Sequence, residues 1–224
     1  MPTSGTTGFN LDFTEIAEEA WERAGRAMRS GYDLKTARRS MNLMTIEWQN
    51  RGINMWTIDT GTIALTSGVA EYDLPADIID VMDHVIRRGT GQEQNDVTIS
   101  RISSSNYSSI PNKNSQGRPI QVWVRRLRDN PKIVVWPVPN DETYTFAYWY
   151  LRRIEDAGSG VETADANFRF LPALVSGLAY QIAMKEPDLI DRTGMLKAEY
   201  EQQFQLAAEQ DREKATFRLV PSRG

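Results

Sequence analysis

Three observations predict an α+β protein with helices at both ends of the chain and a β-rich middle. Apolar residues recur at helical spacing over residues 11–52. The period falls to two over 53–160, and helical spacing returns from about Asn167. Neither end segment can bury its apolar stripe alone. The N- and C-terminal helices are therefore expected to pack as one bundle, 11–52 with 161–215, into which 53–160 is inserted as an antiparallel β sandwich or barrel. Residues 1–10, rich in Gly, Thr and Ser, read as a flexible N-terminus, and 216–224 as an extended tail.

The first helix is marked by Phe13, Ile16, Ala17, Ala20, Trp21 and Ala24 on one face, with Glu15, Glu18, Glu19, Glu22 and Arg23 mostly off it. Asp12 followed by Glu15 has the form of a capping box. Gly31 and Tyr32 punctuate, and Asp33 is the candidate N-cap of a second helix through Leu34, Ala37, Met41, Met44, Ile46 and Trp48 that stops at Gly52. Residues 53–58 and 62–66 are expected to be strands around an Asp59-Thr60-Gly61 turn, with 69–74 a further strand. Over 77–88 the spacing of Ile79, Val81 and Val85 leaves helix and strand both open, and we read a strand. Residues 97–102 read as a strand, 103–110 as a polar loop or short helix, and 120–127, 132–136 and 143–153 as the remaining strands. Pro and Asn at 130–131 and 139–140 supply the turns between them. In the C-terminal region Phe168, Leu171, Leu174, Val175, Leu178, Ala179, Ile182 and Ala183 form a broad apolar face. Pro187 breaks it, and a last helix carries Leu196, Tyr200, Phe204 and Ala207 to about residue 215.

Composition removes many chemistries. The 224 residues contain no cysteine and a single histidine, His84. Disulfides, thiolate catalysis, Cys-ligated metals and His-rich metal sites are thereby excluded, and no cofactor is expected. His84 lies between Asp83 and Val85 with no Gly-x-Ser-x-Gly elbow in the chain to supply a nucleophile, so it reads as structural or superficial. Neither Gly89-Thr90-Gly91 nor Gly158-Ser159-Gly160 has a phosphate-binding pattern. No signal peptide is expected at the N-terminus, and the most apolar stretch, 170–184, is too short and too polar to span a bilayer, so no membrane partner is expected. The carboxylates Glu15, Glu18, Glu19 and Glu22, with Glu199, Glu201 and Glu209 on the last helix, describe solvated faces. An active pair, which needs about 5–10 Å between carboxyls, could form only between segments, and that leaves a peptidoglycan-degrading glycosidase as the alternative function.

Arginine outnumbers lysine and is clustered at Arg38-Arg39, Arg87-Arg88, Arg125-Arg126 with Arg128, and Arg152-Arg153. In a chain of net charge -4, such clusters favour charge-complementary protein contacts over nucleic-acid binding. Six tryptophans add potential interface anchors. The tail residues Phe217, Arg218, Leu219, Val220 and Pro221 are apolar yet follow a charged helix, and they either fray or dock on another chain.

The order of these pieces resembles a known family. Trp48-Gln49-Asn50-Arg51-Gly52-Ile53-Asn54-Met55-Trp56 closes the helical hairpin, and Glu71-Tyr72-Asp73-Leu74-Pro75-Ala76-Asp77 follows. Tyr107-Ser108-Ser109-Ile110-Pro111-Asn112-Lys113, Gln116-Gly117-Arg118-Pro119 and Trp136-Pro137-Val138-Pro139 come next, before the helical C-terminus. Together they resemble the head-to-tail adaptors of short-tailed bacteriophages, also called head-completion or tail tubular proteins, over about residues 9–215. The resemblance implies a non-enzymatic virion protein, made in the host cytoplasm, with a helical bundle and a β lobe. Its copies would form a ring, typically dodecameric, between the portal protein and a tail nozzle or hub, continuing the channel for genomic double-stranded DNA. By that analogy Phe217–Pro221 is the portal-docking segment. Arg125, Arg126, Arg128, Arg152 and Arg153 would then serve as inter-subunit or channel-facing charge, with non-specific contact to the DNA.

Overall fold

The computed structural model describes Gly5 and residues 8–53 and 55–211. In chain order its elements are α1 (Phe13–Ala24), α2 (Gly31–Asn50), β1 (Ile58–Ala64), β2 (Glu71–Asp73), β3 (Ile78–Arg88), β4 (Asn95–Thr98) and β5 (Ser100–Arg101). They continue as α3 (Ser104–Ser108), β6 (Gln116–Gly117), β7 (Gln121–Arg125), β8 (Lys132–Trp136), β9 (Val138–Pro139), β10 (Tyr144–Arg152), α4 (Leu171–Ala183) and α5 (Thr193–Gln210). The fold class is α+β, with helices at both ends and antiparallel sheets between them. The chain divides into two compact units, one of residues before Thr57 and after Arg153, the other Thr57–Arg153. Ile53 and Ala157, inside the range that the sequence pattern gives to the β lobe, are buried in the core of the helical unit.

In the helical unit the whole α1 stripe is buried. Asp12 accepts from the Glu15 amide and Glu15 from the Asp12 amide, satisfying two otherwise unpaired donors. Gly25 ends α1 with φ 105°, a left-handed conformation that side chains resist, and the Arg192 guanidinium donates to the Ala24 carbonyl at 3.1 Å. α2 starts earlier than the pattern predicts. Ser30 is its N-cap, and Asp33, the third residue of the helix, closes the capping box by accepting a hydrogen bond from the Ser30 amide. Ser and Asp at this spacing cap reciprocally, and the sequence marks the pair without saying which member stands outside the helix. α4 is apolar almost all round and packs against α1, α2 and α5, with a proline in its first turn. Phe168 is not on the α4 face. It lies in a 3-10 turn before the helix and is 69% exposed.

The second unit is a sandwich of two four-stranded sheets, ordered β1-β10-β3-β4 and β2-β8-β7-β5. Val81, Ile86 and Phe146 from the first sheet share one core with Val122, Ile133 and Val135 from the second. All pairings are antiparallel except the two-residue contacts β5–β7 and β6–β9. The expected turn at 59–61 is absent: β1 runs straight through it. Gly61 lies opposite Tyr148, and a Cβ there would sit 2.4–2.9 Å from the tyrosine ring. This glycine is required by the close approach of a ring, not by a bend. Pairing of β3 with β10 slips twice, between Trp149/Tyr150 and between Leu151/Arg152. Each slip leaves one β3 residue unopposed, Met82 and Ile79, and both are exposed.

Candidate interaction surfaces

In the helical unit, α1 and α4 flank a cleft of about 710 Å³. Phe9, Leu11, Phe168, Leu171, Pro172 and Val175 give it apolar walls, and Glu15, Glu18, Glu19 and Glu22 stand along α1. These carboxylates are not equivalent. Glu15 is committed to the capping box, and Glu19 accepts from Arg23 at 2.7 Å, the same arginine that reaches Glu199 at 3.2 Å. Among the described residues Glu18 and Glu22 have no ion pair, so the cleft carries uncompensated negative charge beside exposed aromatic surface.

In the β unit the arginine clusters resolve into separate pairings. Arg125 donates to Glu71 at 2.6 Å and lies over the Trp123 ring, while Lys132 holds the other Glu71 oxygen at 2.9 Å. Arg126 and Arg101 converge on Asp80, with Arg101 at 2.8 Å. Arg87 pairs with Asp96 and Arg88 with Asp141. Arg128 stands 96% exposed beside an equally open Asp129 at 3.8 Å. Arg152 donates to the Arg153 carbonyl at 3.1 Å, and the Arg153 side chain is exposed. The chain thus neutralises Arg125 and Arg126 internally, while Arg126, Arg128 and Arg153 all face solvent. In the helical unit Arg38 donates to the Ser159 carbonyl at 2.6 Å.

Asp80 is the hinge of the Arg101–Arg126 pair, with its side chain 21% exposed. Burial alone would raise its carboxyl, but hydrogen bonds from Arg101 and Arg126 outweigh that and hold it below its ordinary value of 3.8. Its interaction therefore adds stability above that pH, which is lost as pH falls through the lowered value in the folded state. Asp80→Asn is expected to cost about 1–2 kcal/mol at pH 7, discounted for partial solvent screening. Urea unfolding should show that gap closing below about pH 3.8.

The remaining candidates serve structure. His84 is buried on β3, 5.8 Å from the Phe146 ring, and burial followed by the nearby Arg101 charge lowers its pKa. Such an imidazole is neutral at physiological pH and packs as an aromatic. Glu201 of α5 accepts two hydrogen bonds from Arg51 and is held below the usual carboxylate range. The carboxyls of Glu71, Asp80, Asp96, Glu162 and Glu201 are all shifted downward. A general acid needs the opposite, so these five do not favour the glycosidase alternative. Among the described residues no cluster of His, Asp and Glu could hold a metal ion, and no helix is long and apolar enough to cross a membrane. Phe217, Arg218, Leu219, Val220 and Pro221 lie outside the described residues, as do residues 1–4, 6 and 7 and the 212–215 end expected of the last helix.

The cleft and the bulged residues Ile79 and Met82 escape a reading by periodicity. Pro172 was the available signal: a proline in a first turn places Phe168 ahead of α4 rather than on its buried face.

Ion pairs and caps thus engage many of the polar groups of both units, and apolar and charged surface is left exposed. A family model described as SU10 adaptor protein matches residues 11–222, and the chain belongs to that family of phage adaptors. It is accordingly a structural adaptor protein of a bacteriophage virion, associated with portal and tail components. No curated protein matches it.

Proposed function

We propose that the chain is a head-to-tail adaptor whose copies close into a ring, typically dodecameric, beneath the portal. The ring carries the DNA channel into the tail nozzle or hub for ejection. The observation that carries this reading is the family match over nearly the whole chain. Closed rings use a heterologous interface in which two different patches of one subunit meet on its neighbours. The separate exposed features of the two units suit such a contact. Arg126, Arg128 and Arg153, the exposed members of the arginine set, supply inter-subunit or channel-facing charge and non-specific contact with double-stranded DNA. Arg125 and Arg152 are half-buried and support them from within the fold. The segment Phe217–Pro221 docks on the portal.

Light scattering tests the reading directly. Adding the chain to portal rings is expected to raise their mass by a fixed multiple of 25.4 kDa. Deleting residues 216–224 is expected to abolish the increase. Unchanged association after the deletion removes the docking role of the tail, and a cognate portal that gains no mass removes the adaptor assignment between head and tail.

A further inference from the structure

The α1–α4 cleft has a candidate occupant within the same chain. Three observations converge on residues 212–224. The described chain ends beside the cleft: the Arg169 guanidinium donates to the Gln210 carbonyl at 3.1 Å, and its neighbour Phe168 is a wall of the cleft. Thirteen further residues, at about 3.3 Å each when extended, exceed the width of one helix several times over. The charge is complementary. The segment carries Arg212, Lys214, Arg218 and Arg223 against Glu213 alone, while the cleft offers Glu18 and Glu22 without ion-pair partners among the described residues. The lengths also match. Glu15 to Glu22 spans about 10 Å of helix, and Phe217 to Pro221 about 13 Å of extended chain.

We propose that the C-terminal segment docks in the α1–α4 cleft of its own chain. Phe217, Leu219 and Val220 lie against Phe9, Leu11, Phe168 and Pro172, and Arg218 lies beside Glu18 and Glu22. Burial of the apolar side chains against exposed aromatic surface and the pairing of Arg218 with the acidic row together supply the attraction. This goes beyond the portal reading. A segment parked on its own subunit is withheld from other partners until one of them competes for it.

The tail is itself rich in trypsin sites, so the full-length free chain reports its own occupancy without any portal present. Cleavage after Arg218 is followed by intact mass at a trypsin level that leaves the folded units uncut. The wild-type chain is expected to lose residues 219–224 at least tenfold more slowly than the Glu18→Gln/Glu22→Gln variant, at equal melting temperature. Raising salt to about 0.5 M should accelerate cleavage of the wild type far more than that of the variant. Equal rates in the two chains, or a wild-type rate indifferent to salt, overturn the proposal. Protection that rises with protein concentration also overturns it, because a second copy then fills the cleft. Failure of portal docking leaves these rates untouched, so the two readings fall separately.

Discussion

Phe170→Ala is expected to destabilise the helical unit by about 4 kcal/mol, the range seen when a buried aromatic is truncated and its site cannot collapse. Phe170 is fully buried at the turn that enters α4. Its ring lies 4.9 Å from Trp56, 5.4 Å from Trp48 and 6.5 Å from Phe204, so one side chain joins segments from both ends of the chain. Collapse into the space is blocked because its neighbours are fixed by other contacts. Trp48 donates its indole N–H to the Tyr200 hydroxyl at 2.9 Å, and Trp56 donates to the Asp165 carbonyl at 3.1 Å. Moving either ring would break a hydrogen bond in a poorly solvated place, which adds about 1–3 kcal/mol. Urea unfolding followed by tryptophan fluorescence measures the loss. A cost below about 1.5 kcal/mol would mean that the aromatic cluster repacks, and that the N- and C-terminal helices are joined elsewhere.

The parts of this fold that local chemistry dictates are visible in the sequence. The α1 stripe, its Asp12/Glu15 box and the broad face of α4 follow from spacing alone, because each is decided within one or two helical turns. β3 shows where spacing misleads. Its buried residues Ile78, Val81, His84 and Ile86 are three, three and two apart, and the first two intervals imitate a helix. The cause is the pair of bulges at Ile79 and Met82, which only pairing with β10 reveals. Gly61 misleads in the same way: Asp-Thr-Gly has turn composition, and only Tyr148, 87 positions along the chain, explains it as strand. The arginine clusters are equally plain in the sequence, but their partners are not. Arg126 meets Asp80 across 46 residues and Arg125 meets Glu71 across 54, distances closed by sheet register. A surface reading from sequence therefore overcounts free charge, because it cannot see which arginines the fold has already neutralised.

Gly177→Val puts the packing of the helical unit to a sharper test, because two effects of known size oppose each other. Gly177 lies inside α4, where replacing glycine by alanine ordinarily favours the helix by about 1 kcal/mol. Here a Cβ would lie 2.5 Å from the Met44 sulfur and 2.7–2.8 Å from two Tyr200 ring carbons, closer than real contacts allow. Met44 can swing aside, since its thioether chain is flexible. Tyr200 cannot follow. It is 2% exposed, its hydroxyl holds the Trp48 indole, its ring stacks 6.4 Å from Tyr180, and burial pushes its phenol up to about 12. The helix must therefore move away from α5, and overpacking of this kind costs about 1–3 kcal/mol. For Ala the helix preference offsets only part of the overpacking, leaving a net loss of about 1 kcal/mol. Val adds two further methyl groups and has less helical preference to set against them, so about 3 kcal/mol is expected. Thermal unfolding of both variants gives the ordering. Gly177→Ala stabilising the chain would show that Tyr200 yields, and hence that the Trp48–Tyr200 hydrogen bond does not fix the distance between α4 and α5.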